Sequence, residues 1–265
     1  MAGAPNKDFG LAALRVVELG EKHPASIRMT ALREYVIYSP TTSVLRGIAP
    51  ETQPRQPLGL SGGRLPEAVH ELLKLSKLDP LAKDVCQDIF GLVHWMIQFG
   101  SSPASQLLLS PAASSTSHVV EFKDRFMKKG RNMLSGYDAS EGVLYVLFLA
   151  VLAVHPRAPQ FCAVDNADHG LNPGLAKAVF AKFSEWILRS NPARQILLTT
   201  HNPAVLDGLP IQDDRIRLFT VDRDNVGRTV VKRVEYTDKM KKWGEKGWTL
   251  SRLWTNKMIG GMPDV

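Results

Sequence analysis

Two acidic residues and a histidine carry the first sign of chemistry in this chain. The apolar run Phe161–Val164 stops on Asp165, Asn166, Ala167 and Asp168. Gly170 follows, and Asn172-Pro173 has the form of a helix start, a side-chain cap ahead of a proline in the first turn. A second apolar run, "QILLTT", ends on His201. In α/β proteins ligands sit beyond the carboxyl ends of the strands. An acid and a histidine placed there suit a metal–phosphate site. Asp165 can hold Mg²⁺, directly or through water, and His201 can donate a hydrogen bond to a terminal phosphate.

Bringing those groups together requires a βαβ unit. Phe161–Val164 reads as a buried strand. Residues 173–190 read as an amphipathic helix with Leu175, Val179, Phe183 and Ile187 on one face. "QILLTT" reads as a second buried strand. Strand, helix and strand in that order give a parallel pair. Both strands then end on one side of the sheet, so Asp165 and His201 meet although 36 residues separate them.

The surrounding chain is ordinary globular material. It has 265 residues, 44% apolar and 22% charged, enough to bury a sizeable core. The net charge of +7 permits contact with nucleic acid or another polyanion without demanding it. Cys86 and Cys162 lie far apart and form no C-x-x-C pair, so they read as two reduced core thiols rather than a zinc site. No secretory signal begins the chain. The longest apolar run, Val143–Val154, has twelve residues, short of the ~20 that span a bilayer, and reads as a buried helix. The expectation is a soluble, cytoplasmic protein with no membrane partner.

Elsewhere the pattern is coarser. Residues 1–10 read as a tail, and "LAALRVVELGEKHP" as a helix stopped at His23-Pro24. "REYVIYSP" reads as a strand ending at Pro40, and residues 47–66 as loop. Helical spacing runs from Pro66 to about Gly100 and includes Met96 and Ile97. Residues 101–117 read as an exposed loop, Val119–Phe122 as a short strand, and a helix follows Ser140. "RIRLFTVDRDNVGRTVVKRVEY" reads as a hairpin turning at Asp224, Asn225 and Gly227.

This order of motifs resembles the ABC-type ATPase domain of the bacterial AAA-family ATPases of the OLD nuclease type, with RecF and the SMC proteins further away. "ASEGVLYVLFLAVL" resembles the Ser-x-Gly signature, with Ser140 and Gly142 in its positions. "FCAVDNADHGLNP" resembles the Walker B strand with its D-loop, and "LLTTHNPAVLDGL" the switch-histidine segment. The likeness is densest over residues 132–210. "GLSGGRL", residues 59–65, spells the transporter form of the signature but lies 104 residues before Asp165, counted from Ser61. Ser140 lies 25 before it, the spacing the resemblance asks for, so the earlier run reads as a glycine-rich turn.

The resemblance implies the C-terminal part of a P-loop NTPase fold of the α/β class. Its sheet would be mostly parallel, with a helical subregion at about 66–130 and a terminal β-hairpin. Residues 1–265 would be one ABC-type domain lacking its P-loop portion. It further implies ATP and Mg²⁺ as ligands, with Asp165 on the metal, His201 and Asn166 at the reacting phosphate, and Ser140, Gly142 and Asp168 on nucleotide. Backbone N–H groups and a hydroxyl at the start of a helix suit a phosphate. In this family that phosphate belongs to the ATP of the other subunit, so the partner is a second copy or a P-loop-bearing chain.

Two departures qualify the implied activity. No G-x-x-x-x-G-K-[ST] occurs, nor even the dipeptide Gly-Lys. That loop cradles the phosphates and supplies a lysine and a metal-binding hydroxyl. Alone, the chain is expected to be inactive; assembled, it leans towards an ATPase. Asn166 stands where the family usually has a glutamate, and an amide can orient water but cannot accept its proton. A longer gene, a split half and a degenerate subunit are all compatible with this pattern, and the intact later motifs favour the first.

Two rivals belong to other classes. One is a non-catalytic pseudo-ATPase that docks through a basic tail. Arg228, Lys232, Arg233, Lys239, Lys241, Lys242, Lys246, Arg252 and Lys257 lie there, interleaved with Trp243, Trp248 and Trp254. Such a mixture can make a nucleic-acid surface or simply a solvated rim over tucked tryptophans. The other is a metal-dependent hydrolase built on Asp165, Asp168, His169 and His201.

Overall fold

The computed structural model describes residues 23–104 and 118–261. It divides into two units, Met1–Tyr35 and Val36–Val265. In the first, helix α1 (Pro24–Glu34) is capped by His23, whose Nδ1 accepts from the Ala25 N–H. His23-Pro24 therefore opens a helix. Proline suits that place because its missing N–H is one that the first turn leaves unpaired anyway. The helix expected to end there lies outside the described residues.

The second unit holds the parallel sheet. Its strands are β1 (Val36–Tyr38), β5 (Phe161–Val164) and β6 (Gln195–Leu198), in the order β1-β5-β6, all parallel. Register places Ile37 beside Ala163 and Ala163 beside Leu197. On the alternate positions Val36, Tyr38, Cys162 and Val164 are buried, and Ile196 and Leu198 pack against them. This face meets helix α5 (Glu141–Val154), where Phe148 sits edge-on to Tyr38 at 5.7 Å. Every residue from Gly142 to Val154 is buried, as the unbroken apolar run requires. Helices α3 (Leu65–Leu75), α4 (Pro80–Leu92) and α6 (Pro173–Arg189) complete this core. α6 ties to α4 through the Trp186 indole N–H, which donates to Asp88 at 2.8 Å.

The fold class is α/β as expected, with the parallel sheet, helices and terminal hairpin in place; two antiparallel sheets accompany the parallel one. One has the order β2-β3-β4, from β2 (Met96–Pro103), β3 (His118–Asp124) and β4 (Met133–Ser135). It corrects the helical reading at its end. The helix stops at Leu92, and Met96 and Ile97 lie on a strand, Met96 buried and Ile97 exposed. Two apolar residues in succession fit a helix edge or the alternating faces of a strand equally well, and pairing with β3 decided it. The other sheet is the expected hairpin, β7 (Leu218–Arg223) with β8 (Thr229–Val234). The first strand is shorter than "REYVIYSP", because Arg33 and Glu34 finish α1. "QILLTT" is also corrected: β6 alternates exposed and half-buried residues and, among the described residues, is the edge of its sheet.

The remaining helices are short: α2 (Thr42–Leu45), α7 (Pro203–Leu206), α8 (Asp238–Glu245) and α9 (Leu250–Thr255). Both cysteines are free and buried, and burial pushes the Cys162 thiol up to about 12 and that of Cys86 to about 11. Among the described residues no helix is long and apolar enough to cross a membrane. Of the loop expected at 101–117, Ser101–Pro103 belong to β2 and 105–117 lie outside the described residues.

Candidate functional site

The carboxyl ends of β5 and β6 are joined by hydrogen bonds beyond the last paired residues. Asp165 N–H donates to the Tyr38 carbonyl at 2.8 Å, and Thr199 N–H to the Val164 carbonyl at 3.1 Å. Register therefore sets Asp165 beside Thr199. The Thr199 hydroxyl donates to Asp165 Oδ1 at 2.6 Å and accepts from the Asn166 N–H at 2.8 Å. The Ala167 N–H donates to the Thr199 carbonyl at 3.0 Å. Asp168 Oδ2 accepts from the Asn202 N–H at 3.1 Å, while its Oδ1 is buried without a partner. The acidic loop and the segment carrying His201 are thus bound side by side, as the βαβ reading demanded. Asp165, Asn166 and His201 are exposed at this edge.

Asn166 has a φ of 49°, in the left-handed region that asparagine tolerates better than most residues. Past it, Asn172 caps α6, its Oδ1 accepting from the Leu175 N–H at 2.9 Å. Asn202 caps α7 in the same way through the Ala204 N–H.

Ser140 and Gly142 start α5 against this loop. Ser140 is exposed and stands at the N-cap, yet its hydroxyl makes no capping bond. That hydroxyl therefore takes up none of the N–H groups that open the fourteen-residue helix. A Cβ on Gly142 would lie 3.0 Å from Leu175 Cδ2 and 3.2 Å from the Gly170 carbonyl. Glu141 pairs with His169 at 3.6 Å, and the His169 ring lies 5.7 Å from that of Tyr145. The two motifs therefore form one surface, with the start of α5 docked on residues 169–171. The "LSGG" run is confirmed as a turn. Glu51 Oε2 accepts from the N–H groups of Ser61 and Gly63, both at 3.0 Å, just before α3.

A family model described as "AAA domain, putative AbiEii toxin, Type IV TA system" matches residues 65–207, more than half of the chain. The chain belongs to that AAA-domain family. The match spans α3 through α7 and contains Ser140, Gly142, Asp165, Asn166, Asp168, Thr199 and His201. An AAA-type ATPase domain is thereby its class. Solved structures of SMC proteins are also similar. One, from work on ATP-driven dimerization and DNA-stimulated activation of SMC ATPases, is 16% identical with a TM-score of 0.37, over 62% of this chain and 91% of that one. The Smc head domain bound to the C-terminal domain of ScpA, from Pyrococcus furiosus, is 13% identical with a TM-score of 0.39, over 63% and 38%. The Smc head domain with a coiled coil and joint, from Pyrococcus yayanosii, is 16% identical with a TM-score of 0.39, over 63% and 29%. The chain thus spans well under half of both Pyrococcus proteins. No curated protein matches it.

Within this AAA domain, Thr199 is the site residue that sequence reasoning missed. The signal was present: counting one residue past Val164 and one past Leu198 sets Asp165 opposite Thr199. Among the described residues no three His, Cys, Asp or Glu side chains gather as a group that could hold a metal. The tail is also clearer. Trp243 and Trp248 are half-buried against Met240, Leu253 and Ile211. Lys239 Nζ lies 4.7 Å from the Trp243 ring centre, and Arg252 Cζ 4.2 Å from that of Trp248. Those cations cover ring faces that base stacking would need.

Proposed function

We propose that this chain is the signature, Walker B and switch-histidine portion of an ABC-type ATPase. It would bind MgATP together with a P-loop supplied by further polypeptide, in the manner of the OLD-type ATPases. One observation carries the reading: a parallel sheet with Asp165 and His201 at its carboxyl edge is left open beside and above that edge. Parallel sheets are ordinarily covered on both faces. Here Ile37 is 54% and Leu197 55% exposed on the same outer face, and among the described residues β6 has no strand beyond it. A strand and helix bearing the phosphate-binding loop would fill that space.

The residues fit the ligands. Asp165, fixed by the Thr199 hydroxyl, is a hard oxygen donor suited to Mg²⁺. The cation, when bound, neutralises phosphate charge. His201 stands exposed on the adjoining segment to donate to the terminal phosphate. Ser140 and the N–H groups at the start of α5 serve a phosphate held by the opposing subunit. The unpartnered Asp168 oxygen sits in the loop between them. Asn166 orients water without accepting its proton, so hydrolysis by the assembled form is slow. Asn166 also supports the second reading, a pseudo-ATPase that binds nucleotide as a clamp.

The test begins with the DNA upstream of Met1, translated in frame. A P-loop encoded there, or in an adjoining gene, is co-expressed with this chain and ATP turnover is followed. Turnover that disappears with Asp165→Ala supports the reading; nucleotide binding without turnover, restored by Asn166→Glu, supports the clamp. Failure of every P-loop-bearing assembly to bind ATP overturns both.

A further inference from the structure

The turn between β3 and β4 has no part in the site above, yet its composition is strongly one-sided. From Arg125 to Arg131 it reads Arg-Phe-Met-Lys-Lys-Gly-Arg, four cations and no acid. All seven residues are exposed. None of the four cations forms an ion pair among the described residues. Phe126 is 71% and Met127 41% exposed, and Met133 at the start of β4 is 44% exposed.

The turn is built rather than loose. Asp124 Oδ1 accepts from the N–H groups of Phe126 and Met127, at 2.6 and 3.0 Å. Arg125 N–H donates to the Trp95 carbonyl at 2.9 Å, and Arg131 N–H to the Lys128 carbonyl at 2.9 Å. Asn132 Nδ2 closes the base on the Asp124 carbonyl. Asp124, the acid beside the turn, uses Oδ1 to fix the backbone and pairs with none of the four cations. Arg125 Cζ stands 5.9 Å from the Phe126 ring centre and the His94 ring 6.1 Å from it, so the ring is steadied but still open.

We propose that this turn binds single-stranded nucleic acid, with a base stacked on Phe126 and phosphates held by Arg125, Lys128, Lys129 and Arg131. An aromatic ring flanked by cations is what a strand with exposed bases requires. An anionic bilayer instead requires a continuous apolar face beneath the charges. Here the apolar pair is bracketed by cations within seven residues. The inference stands apart from the ATPase reading, since neither the residues nor the assay involves nucleotide.

The experiment is fluorescence anisotropy of the chain with a labelled single-stranded oligonucleotide over a salt series, with duplex DNA and anionic vesicles in parallel. Phe126→Ala is expected to weaken binding at least fivefold with an unchanged salt slope, and Phe126→Trp to retain it, a stacked base contributing ~1–3 kcal/mol. Replacing Lys128 and Lys129 together by alanine should flatten the log–log salt slope by about 1.4, at ~0.7 per phosphate contact. Unchanged thermal unfolding of these exposed-site variants guards against loss of fold. The proposal is overturned if the wild type fails to bind at low salt, if it prefers vesicles or duplex, or if binding follows Lys241 and Lys242 and ignores the turn.

Discussion

The Thr199 hydroxyl joins Asp165 Oδ1 to the Asn166 N–H, so one side chain just past β6 fixes both the proposed metal ligand and the residue after it. The register of two parallel strands places it there. The candidate site is therefore a property of the sheet and not of a loop that must order on binding.

Thr199→Val keeps the shape and removes both hydrogen bonds. It should lower stability by about 1–2 kcal/mol, two exposed hydrogen bonds at the low end of their net value. Thr199→Ser should recover most of it. Urea unfolding midpoints of the three proteins check this, and equal midpoints for Val and wild type would show that the hydroxyl bridge is idle.

Asn166 makes a separate backbone prediction. At a φ of 49° an alanine should cost ~1–2 kcal/mol, because its Cβ crowds the carbonyl that follows, whereas glycine should cost less. Asn166→Glu in an assembled form would carry the same strain alongside any gain in proton acceptance. Stability has therefore to be measured beside turnover. A stable alanine variant would mean that the loop relaxes.

Local pattern made much of this legible. The unbroken run Val143–Val154 could only be a buried helix, and Asn172-Pro173 marked the start of α6 to the residue. The βαβ order brought the His201 segment to Asp165 with no structural input. What failed needed knowledge of neighbours. "QILLTT" is as apolar as a central strand, and only the sheet order shows it at an edge. Met96 and Ile97 read as helix because the β3 strand that pairs with this segment lies more than twenty residues away. The site itself was half legible: acid, amide and histidine stood out by type. Thr199, a common residue in a strand tail, gained meaning only from register.

His155 and Glu71 form a part-buried polar contact that acid should weaken. His155 is 2% exposed; its Nδ1 accepts from the Arg157 N–H, so Nε2 carries the proton and meets Glu71 Oε2 at 2.6 Å. Burial lowers the His155 pKa below its ordinary 6.5, against the pull of Glu71. Burial raises that of Glu71, but hydrogen bonds from Arg157 and His155 outweigh it and hold the carboxyl below 4.5. In both cases the unfolded chain binds the proton more readily. Stability should therefore decline as pH falls from 6.5 through the lower folded value of His155, and again below 4.5 for Glu71. His155→Asn should remove the first decline and Glu71→Gln the second, read from unfolding midpoints across pH. A flat profile in the wild type would refute the assignment.

Gly142→Ala tests whether the start of α5 and the loop after β5 act as one surface. The new methyl would meet Leu175 Cδ2 at 3.0 Å and the Gly170 carbonyl at 3.2 Å. The side chain can turn away, but the carbonyl belongs to a turn whose glycine has a φ of 70° and can shift only with its backbone. Overpacking of this kind costs about 1–3 kcal/mol. Ser140→Ala, by contrast, removes a hydroxyl that caps nothing and should leave stability within ~0.5 kcal/mol of wild type. If the signature reading is right, Ser140→Ala nevertheless weakens nucleotide-dependent association of the assembled form, measured by sedimentation with and without MgATP. Loss of association without loss of stability would separate a phosphate-binding serine from a helix cap. Equal association in the wild type and Ser140→Ala would return Ser140 to the ordinary surface.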